Sequence, residues 1–199
     1  NNVLYNNGGG GLVIFKSDNV YAGNNTCYKN GQHPEMTSAE ISTNYVHNAL
    51  IYNNILIPGT DERANFFNMV DGVEYDYNLI FDADIIDWQG ANDIIGQDPL
   101  FKNAYTNPIQ ADFRLNAGSP AIDAAFADFS SSTDILGVPR PQGNGFDIGA
   151  YEFDPSSAVF EKTDHLVSIF PNPAQDWIQI EIANDFDIEE IKIFNALGV

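Results

Sequence analysis

The chain has 199 residues, and 44% of them are hydrophobic, which is enough to build the core of one ordinary domain with a small appendage. It carries 28 acidic residues against 8 Lys and Arg, so its formal net charge of -20 repels nucleic acid and anionic membranes. The single cysteine, Cys27, excludes an internal disulfide bond, and no apolar run approaches the roughly 20 residues of a membrane-spanning helix.

The first half contains a degenerate repeat built around asparagine. Its units are "NNVLYNN" at 1, "NNTCYKN" at 24, "YNNILI" at 52 and "DYNLIF" at 76, and alignment of Asn2, Asn25, Asn54 and Asn78 gives steps of 23, 29 and 24 residues. Periods of this length are typical of solenoids, and the absence of a leucine framework favours a parallel β-helix over leucine-rich repeats. We expect the asparagines to occupy sharp corners with left-handed backbone and to hydrogen-bond from coil to coil.

From about residue 94 the repeat gives way to short apolar runs separated by Gly and Pro. The segments are "IIGQDPLFKN", "DFRLNAGSPAIDAA" and "DILGVPRPQGNGFDIGAYEF". Such a change predicts a cap that covers the apolar end of the solenoid. Asp123 and Asp147 are interpreted as hydrogen-bonding anchors of this cap.

The phrases "DPLF", "DFRLNAGSPAID" and "DIGAYE" resemble the C-terminal end of secreted bacterial right-handed parallel β-helix proteins. These include the pectate-lyase-like type and the proteins called choice-of-anchor Q. The resemblance covers residues 1–153 and implies an all-β fold, a right-handed parallel β-helix with a C-terminal cap. It implies no particular activity.

A polar linker over residues 154–165 is followed by a second region, residues 166–199, with strands of alternating hydrophobicity. Its "SIFPNPAQDWIQIEI" and "IKIFNALGV" are similar to the C-terminal sorting domain of the type nine secretion system of Bacteroidetes. The resemblance implies a partial β-sandwich that presents the protein to the secretion machinery. We therefore expect a secreted or outer-membrane surface-attached protein, with the sorting domain truncated.

Two kinds of carbohydrate chemistry give candidate catalytic residues. A glycoside hydrolase needs two carboxylates about 5 to 9.5 Å apart, and Asp61 and Asp84 are offset by one coil. A polysaccharide lyase needs a base and a cation, for which Lys16 is the candidate. Arg63 and Asp87, also one coil apart, are more simply a cross-coil ion pair.

Further candidates concern metal and sugar binding. Asp82, Asp84 and Asp87 in "DADIIDW" are candidate calcium ligands, with solvated turn carboxylates as the alternative. Tyr75, Tyr77 and Trp88 are candidate stacking residues for sugar rings. Alternation places both tyrosines on one face, and burial in the core is the alternative for them.

The sequence thus predicts an extracellular protein that interacts with polysaccharide, as the C-terminal part of a lyase or glycoside hydrolase. The alternative is a non-catalytic surface adhesin or structural stalk. A groove of aromatics with paired carboxylates favours the enzyme. A flank of uncharged Asn, Ser and Thr favours the adhesin.

Overall fold

The computed structural model describes residues 1–33, 35, 39–59, 63–105 and 110–155, and the strands 167–170 and 179–182. The chain divides into two compact units, Asn1–Pro155 and Ser156–Val199. Within the described residues, no helix has the length and apolarity needed to cross a membrane.

The first unit passes alternately through two parallel sheets. Sheet 1 has five strands in the order β1, β3, β5, β8 and β10, which are Asn2–Tyr5, Asn25–Tyr28, Ile55–Ile57, Leu79–Ile80 and Ile94–Ile95. Sheet 2 contains β2, β4, β6 and β9, which are Leu12–Gly23, Ile41–Tyr52, Arg63–Asp71 and Ile85–Ile86. The short strand β7, Glu74–Asp76, also pairs with β4. The predicted all-β class is confirmed.

The strand register reproduces the steps of the asparagine repeat. In sheet 1, Asn2 pairs with Asn25, Thr26 with Ile55, and Ile55 with Leu79, which are offsets of 23, 29 and 24 residues. In sheet 2 the offsets between β2, β4 and β6 are 29 and 24, as in the pairs of Leu12 with Ile41 and Ile41 with Asn65. Each pass of the chain therefore adds one strand to each sheet.

The strands of sheet 2 bury mainly one side, whereas β3, β5 and β8 of sheet 1 are buried along their whole length. Side chains alternate between the two faces of a strand, so a continuous apolar row forms where successive passes stack. One buried cluster includes Ile14, Ile41, Ile51, Leu56 and Ile80. A second buried cluster joins Ile55 and Leu79 to residues of the cap such as Phe113, Leu115 and Ile148.

An asparagine ladder runs through the coils beside sheet 1. The side-chain amide of Asn2 donates to Oδ1 of Asn25 at 2.8 Å, Asn25 donates to Asn54 at 2.9 Å, and Asn54 donates to Asn78 at 2.9 Å. Asp93 Oδ1 ends the ladder by accepting the backbone N–H of Asn78 at 2.7 Å. The predicted coil-to-coil hydrogen bonding is confirmed.

The corners use a different asparagine from the one in the ladder. Positive φ angles occur at Asn24 and Asn53, each one residue before a ladder asparagine, and at Tyr77 before Asn78. The prediction that one asparagine both turns the chain and forms the ladder is therefore wrong. The left-handed residue reverses the alternation, which lets its successor point inward along the stack.

The cap, built of antiparallel strands and polar loops, packs along sheet 1 and not only on its last strand. Phe113 contacts Tyr5 of β1 with ring centroids 5.1 Å apart, and the Asn1 side-chain amide donates to Ser131 Oγ at 2.8 Å, so the prediction of a cover for the solenoid end alone is wrong. Strands β11 and β12, Phe101–Asn103 and Asp112–Leu115, pair with each other, and a short 3-10 helix spans Ala127–Phe129. Asp147 Oδ1 accepts the backbone N–H of Asp123 at 2.8 Å, and Asp123 Oδ1 accepts that of Gly145 at 2.8 Å. Both aspartates are thus anchors of the cap, as predicted.

In the second unit two strands are described, β13 at Val167–Phe170 and β14 at Gln179–Ile182. They are antiparallel, with Val167 opposite Ile182 and Phe170 opposite Gln179. The further strand predicted around Ile191 and Ile193 lies outside the described residues.

Candidate binding face and pocket

The solvent-facing side of sheet 2 carries two rows of side chains that cross three adjacent strands. We call this surface the outer face; the rows are Val13, Ser42 and Phe66, and Phe15, Asn44 and Asn68. Ile14 and Thr43 lie between them in sequence and are buried, which places the named residues on the opposite side. Asn68 Nδ2 donates to Asn44 Oδ1 at 3.0 Å. None of the six side chains is charged.

A column of left-handed residues borders the outer face. Lys16, Tyr45 and Met69 all have positive φ, between 48° and 56°. Tyr45 is 45% exposed and packs edge-on against Phe15, itself 53% exposed, with ring centroids 6.2 Å apart. The Lys16 ammonium lies 5.2 Å from the centre of the Phe15 ring. The column thus extends the aromatic surface beyond the strands.

A shallow groove of about 340 Å³ lies on the other side of this column. It is lined by residues of β2, β4 and β7 and of the turns between them: Asn19, Val20, Tyr21, Asn48, Leu50, Gly72 and Glu74. Asn48 Nδ2 donates to Asp18 Oδ1 at 3.1 Å, and the Tyr21 hydroxyl donates to the carbonyl oxygen of Phe129. The groove therefore combines amide and aromatic groups with the carboxylates of Glu74 and Asp18.

A separate concavity of about 300 Å³, the cap pocket, lies where the coils meet the cap. Its lining combines aromatic walls with charged and amide groups: Tyr28, Lys29, Ile57, Phe81, Asp82, Asp98, Leu100, Phe101, Ala104 and Asn116. Burial, and then the negative charges of Asp82 and Asp98, raise the pKa of Tyr28. Sequence reasoning could not predict this pocket, because no repeat relates the cap to the coils.

Of the three predicted catalytic candidates, the structure describes Lys16 and Asp84. Asp61 lies outside the described residues, so its distance from the exposed Asp84 stays a prediction. Lys16 sits over Phe15 at the edge of the outer face. Arg63 Nη1 lies 2.6 Å from Asp87 Oδ2, which confirms the cross-coil ion pair.

The three candidate calcium ligands do not form a metal site. Across the part of the chain that the structure describes, no group of three or more His, Cys, Asp and Glu side chains is placed to hold a metal ion. Asp82 lies in the cap pocket, and Asp87 is engaged by Arg63. Asp82, whose backbone is left-handed with φ of 58°, also lines a concavity of about 180 Å³ together with Asp84.

The three candidate stacking residues do not form one exposed surface, although Tyr75 and Trp88 both pack on Phe67. Tyr75 is 6% exposed and belongs to the core, where its hydroxyl accepts a hydrogen bond from Asn65 Nδ2 at 3.0 Å. Tyr77 has positive φ and stacks on Phe126 of the cap with ring centroids 5.0 Å apart. The expected shared face is therefore wrong, since the left-handed residue breaks the alternation. Trp88 is 39% exposed and packs edge-on against Phe67.

A buried carboxyl that sequence reasoning missed lies between two turns. Glu40 is 1% exposed, and it accepts hydrogen bonds from the backbone N–H of Asn30 at 2.9 Å and from the Asn30 side chain. Burial raises its pKa to about 8, although the hydrogen bonds from Asn30 and Gly59 oppose that rise. Glu40 is a structural clamp rather than a surface group.

Residues 168–199 match a protein family described as a secretion system C-terminal sorting domain. No curated protein matches the chain. No solved structure matches it either. The sorting domain indicates a secreted or cell-surface-attached protein that interacts with the type nine secretion machinery.

Proposed function

We propose that the first unit is a right-handed parallel β-helix that binds a neutral polysaccharide outside the cell and does not cleave it. The observation that carries this proposal is the outer face, which is aromatic, amide-bearing and uncharged on an otherwise strongly acidic protein. The sorting domain supports the location, because it indicates export or surface attachment.

The strand topology supports the helical path. The chain alternates between two parallel sheets and returns to the neighbouring position in each sheet after every pass. Crossover connections between parallel strands are right-handed in about 98% of cases. Successive strands are about 4.8 Å apart, so their side chains form straight rows across the coils.

Straight rows suit a linear polymer of repeating sugars. The apolar faces of sugar rings pack on aromatic side chains, for which Phe15, Tyr45 and Phe66 are exposed. Amide groups both donate and accept hydrogen bonds. Asn44 and Asn68 can therefore bind a sugar hydroxyl group that acts either as a donor or as an acceptor. The six outer-face side chains are uncharged and the net charge of -20 repels polyanions, which favours a neutral polymer. The cations of Lys16 and Arg63 border the face, 5.2 and 5.6 Å from the centres of the Phe15 and Phe66 rings.

The exposed apolar side chains also require a reason in a secreted protein. Val13, Phe15, Tyr45, Phe66 and Met69 are all exposed, and Lys16 is the one charged side chain in their left-handed column. Contiguous apolar surface of this kind is typical of a binding face. The uncharged amides between the aromatics favour an adhesin-like binding module over a hydrolase, which needs paired carboxylates.

The test uses the full chain and a panel of neutral and acidic polysaccharides, with binding measured by affinity electrophoresis and pull-down. The double variant Phe15→Thr with Tyr45→Asn keeps β propensity at one position and suits the left-handed backbone at the other. We expect it to weaken binding to neutral polymers at least tenfold. Tyr105→Ala, at an exposed aromatic of the cap region, is the matched control and should bind like the parent.

Three results would overturn the proposal. They are the absence of binding to every polymer, tighter binding to acidic polymers than to neutral ones, and equal binding by the double variant. Release of reducing ends or unsaturated products during incubation would show cleavage. The first unit would then be an enzyme and not a binding module.

A further inference from the structure

We infer that the cap pocket is a second carbohydrate site, which takes one neutral pyranose-sized ring, either free or at the end of a chain. The inference rests on the proposed function for the class of ligand. It differs from the outer face in place and in geometry, since the pocket is concave and bounded by the cap.

The walls of the cap pocket are aromatic and rigidly held. The Tyr28 ring packs against Phe101 and Phe113, with centroid distances of 6.3 and 5.1 Å. Its hydroxyl donates to the carbonyl oxygen of Ala104 at 2.8 Å, which fixes the ring between the coils and the cap. Phe81 completes an apolar surface against which the hydrophobic face of a sugar can pack.

Polar groups converge on the same space. Asp82, Asp98 and Asn116 offer oxygen acceptors for hydroxyl groups, and Lys29 offers a donor. Asp98 is held in place because its Oδ1 accepts the backbone N–H of Leu100 at 2.8 Å. The Lys29 ammonium lies 5.6 Å from the centre of the Tyr28 ring, above the aromatic wall. An apolar pocket with a few convergent polar groups is the usual form of a small-molecule site.

The charges and the size of the cap pocket limit the kind of ligand that it can bind. The lining carries the two carboxylates of Asp82 and Asp98 against the one ammonium of Lys29, which disfavours an anionic sugar. The volume of about 300 Å³ lies at the small end of ligand pockets, which suits a single ring rather than several sugars of a chain.

Two residues that line the cap pocket have a strained backbone conformation, which also supports a ligand site there. Lys29 and Leu100 have φ of 49° and 53°, and neither is Asn or Gly, the residues that adopt this conformation at low cost. Strained residues cluster at ligand sites, where the surrounding fold holds them in place. Both side chains line the cap pocket, so their positions are set by the strained backbone.

The test measures binding of single sugars to the full chain by saturation-transfer NMR and calorimetry. The probes are the methyl glycosides of glucose, galactose and mannose, with galacturonic acid, glucosamine and lysine as charged comparisons. We expect saturable binding of at least one neutral glycoside and at least tenfold weaker binding in the double variant Asp82→Asn with Asp98→Asn. Asp71→Asn, at an exposed carboxylate of β6, is the matched control and should bind like the parent.

The outcomes separate the cap pocket from the outer face. If the inference holds, the Asp82 and Asp98 variant still binds polysaccharide, and the Phe15 and Tyr45 variant still binds the single sugar. The inference is overturned if no neutral glycoside binds at about 10 mM, a limit for weak sites. It is also overturned if a charged probe binds more tightly, or if the Phe15 and Tyr45 variant abolishes single-sugar binding.

Discussion

The asparagine ladder makes a quantitative prediction for the replacement of Asn54 by alanine. Asn54 is fully buried, and its Oδ1 accepts both the backbone N–H and the side-chain amide of Asn25, at 3.1 and 2.9 Å. Its own amide lies within hydrogen-bonding distance of the carbonyl oxygens of Ala22 and Tyr52, at 3.0 and 2.9 Å. Asn54→Ala removes all of these partners at once.

The expected loss of stability follows from the groups left unpaired. A buried donor without an acceptor costs about 1 to 3 kcal/mol, so the two donors of Asn25 together cost about 2 to 6 kcal/mol. Asn2→Ala is the matched control, because Asn2 is exposed and donates one hydrogen bond to the ladder, at 2.8 Å. We expect that variant to lose about 0.5 to 1.5 kcal/mol.

The measurement is urea denaturation of the full chain and both variants, followed by far-ultraviolet circular dichroism. The difference in the free energy of unfolding between the Asn54 and Asn2 variants should exceed about 0.5 kcal/mol. Equal losses would show that the position in the ladder does not matter, and the reasoning from unpaired donors would be wrong.

Further variants test four other features. Glu40 keeps its proton in the folded state up to about pH 8 but releases it near pH 4.5 in the unfolded state. Its contribution to the free energy of unfolding should therefore fall as the pH rises between these values, by up to about 1.4 kcal/mol per pH unit. Denaturation across this pH range should show a shallower slope for Glu40→Gln, and an unchanged slope would refute the assignment. Glu152→Ala should cost about 3 to 5 kcal/mol in the same assay, because it leaves Arg140, 3.2 Å away and buried, without its carboxylate. Asp87→Asn should change unfolding by less than about 1 kcal/mol, since the pair with Arg63 is partly exposed, and a larger loss would contradict this. Met69→Asn should raise the melting temperature through a gain of about 1 kcal/mol, because Met69 is 62% exposed in a left-handed conformation that asparagine tolerates, and a fall would contradict this.

The sequence predicted the coil lengths because one asparagine per coil must occupy an equivalent position for the amides to meet. The 29-residue step between Asn25 and Asn54 was therefore as informative as the shorter ones, although it includes a longer loop. The ion pair between Arg63 and Asp87 could be predicted for the same reason, because the two residues are separated by one step of the repeat. Equivalent positions in a repeat are the part of such a fold that composition and spacing determine.

The site residues were harder to predict because left-handed corners reverse the alternation of side chains. Tyr75 points into the core and Tyr77 stacks on the cap, although the two are separated by a single residue. Period-two reasoning holds only within an uninterrupted strand. The cap pocket requires contacts between Tyr28, Phe81 and Phe101, which come from coils and cap, and no local pattern reports such contacts.

Two columns of left-handed corner residues differ in the side chains that they carry. In the column formed by Asn19, Asn48 and Gly72, the left-handed conformation is occupied by residues that tolerate it. The column of Lys16, Tyr45 and Met69 has the same conformation but carries long side chains that are exposed to solvent. Each of these residues costs about 1 to 2 kcal/mol relative to glycine, and burial does not offset that cost. This column borders the outer face, so the proposed binding function would give a reason for long side chains at positions where asparagine or glycine costs less.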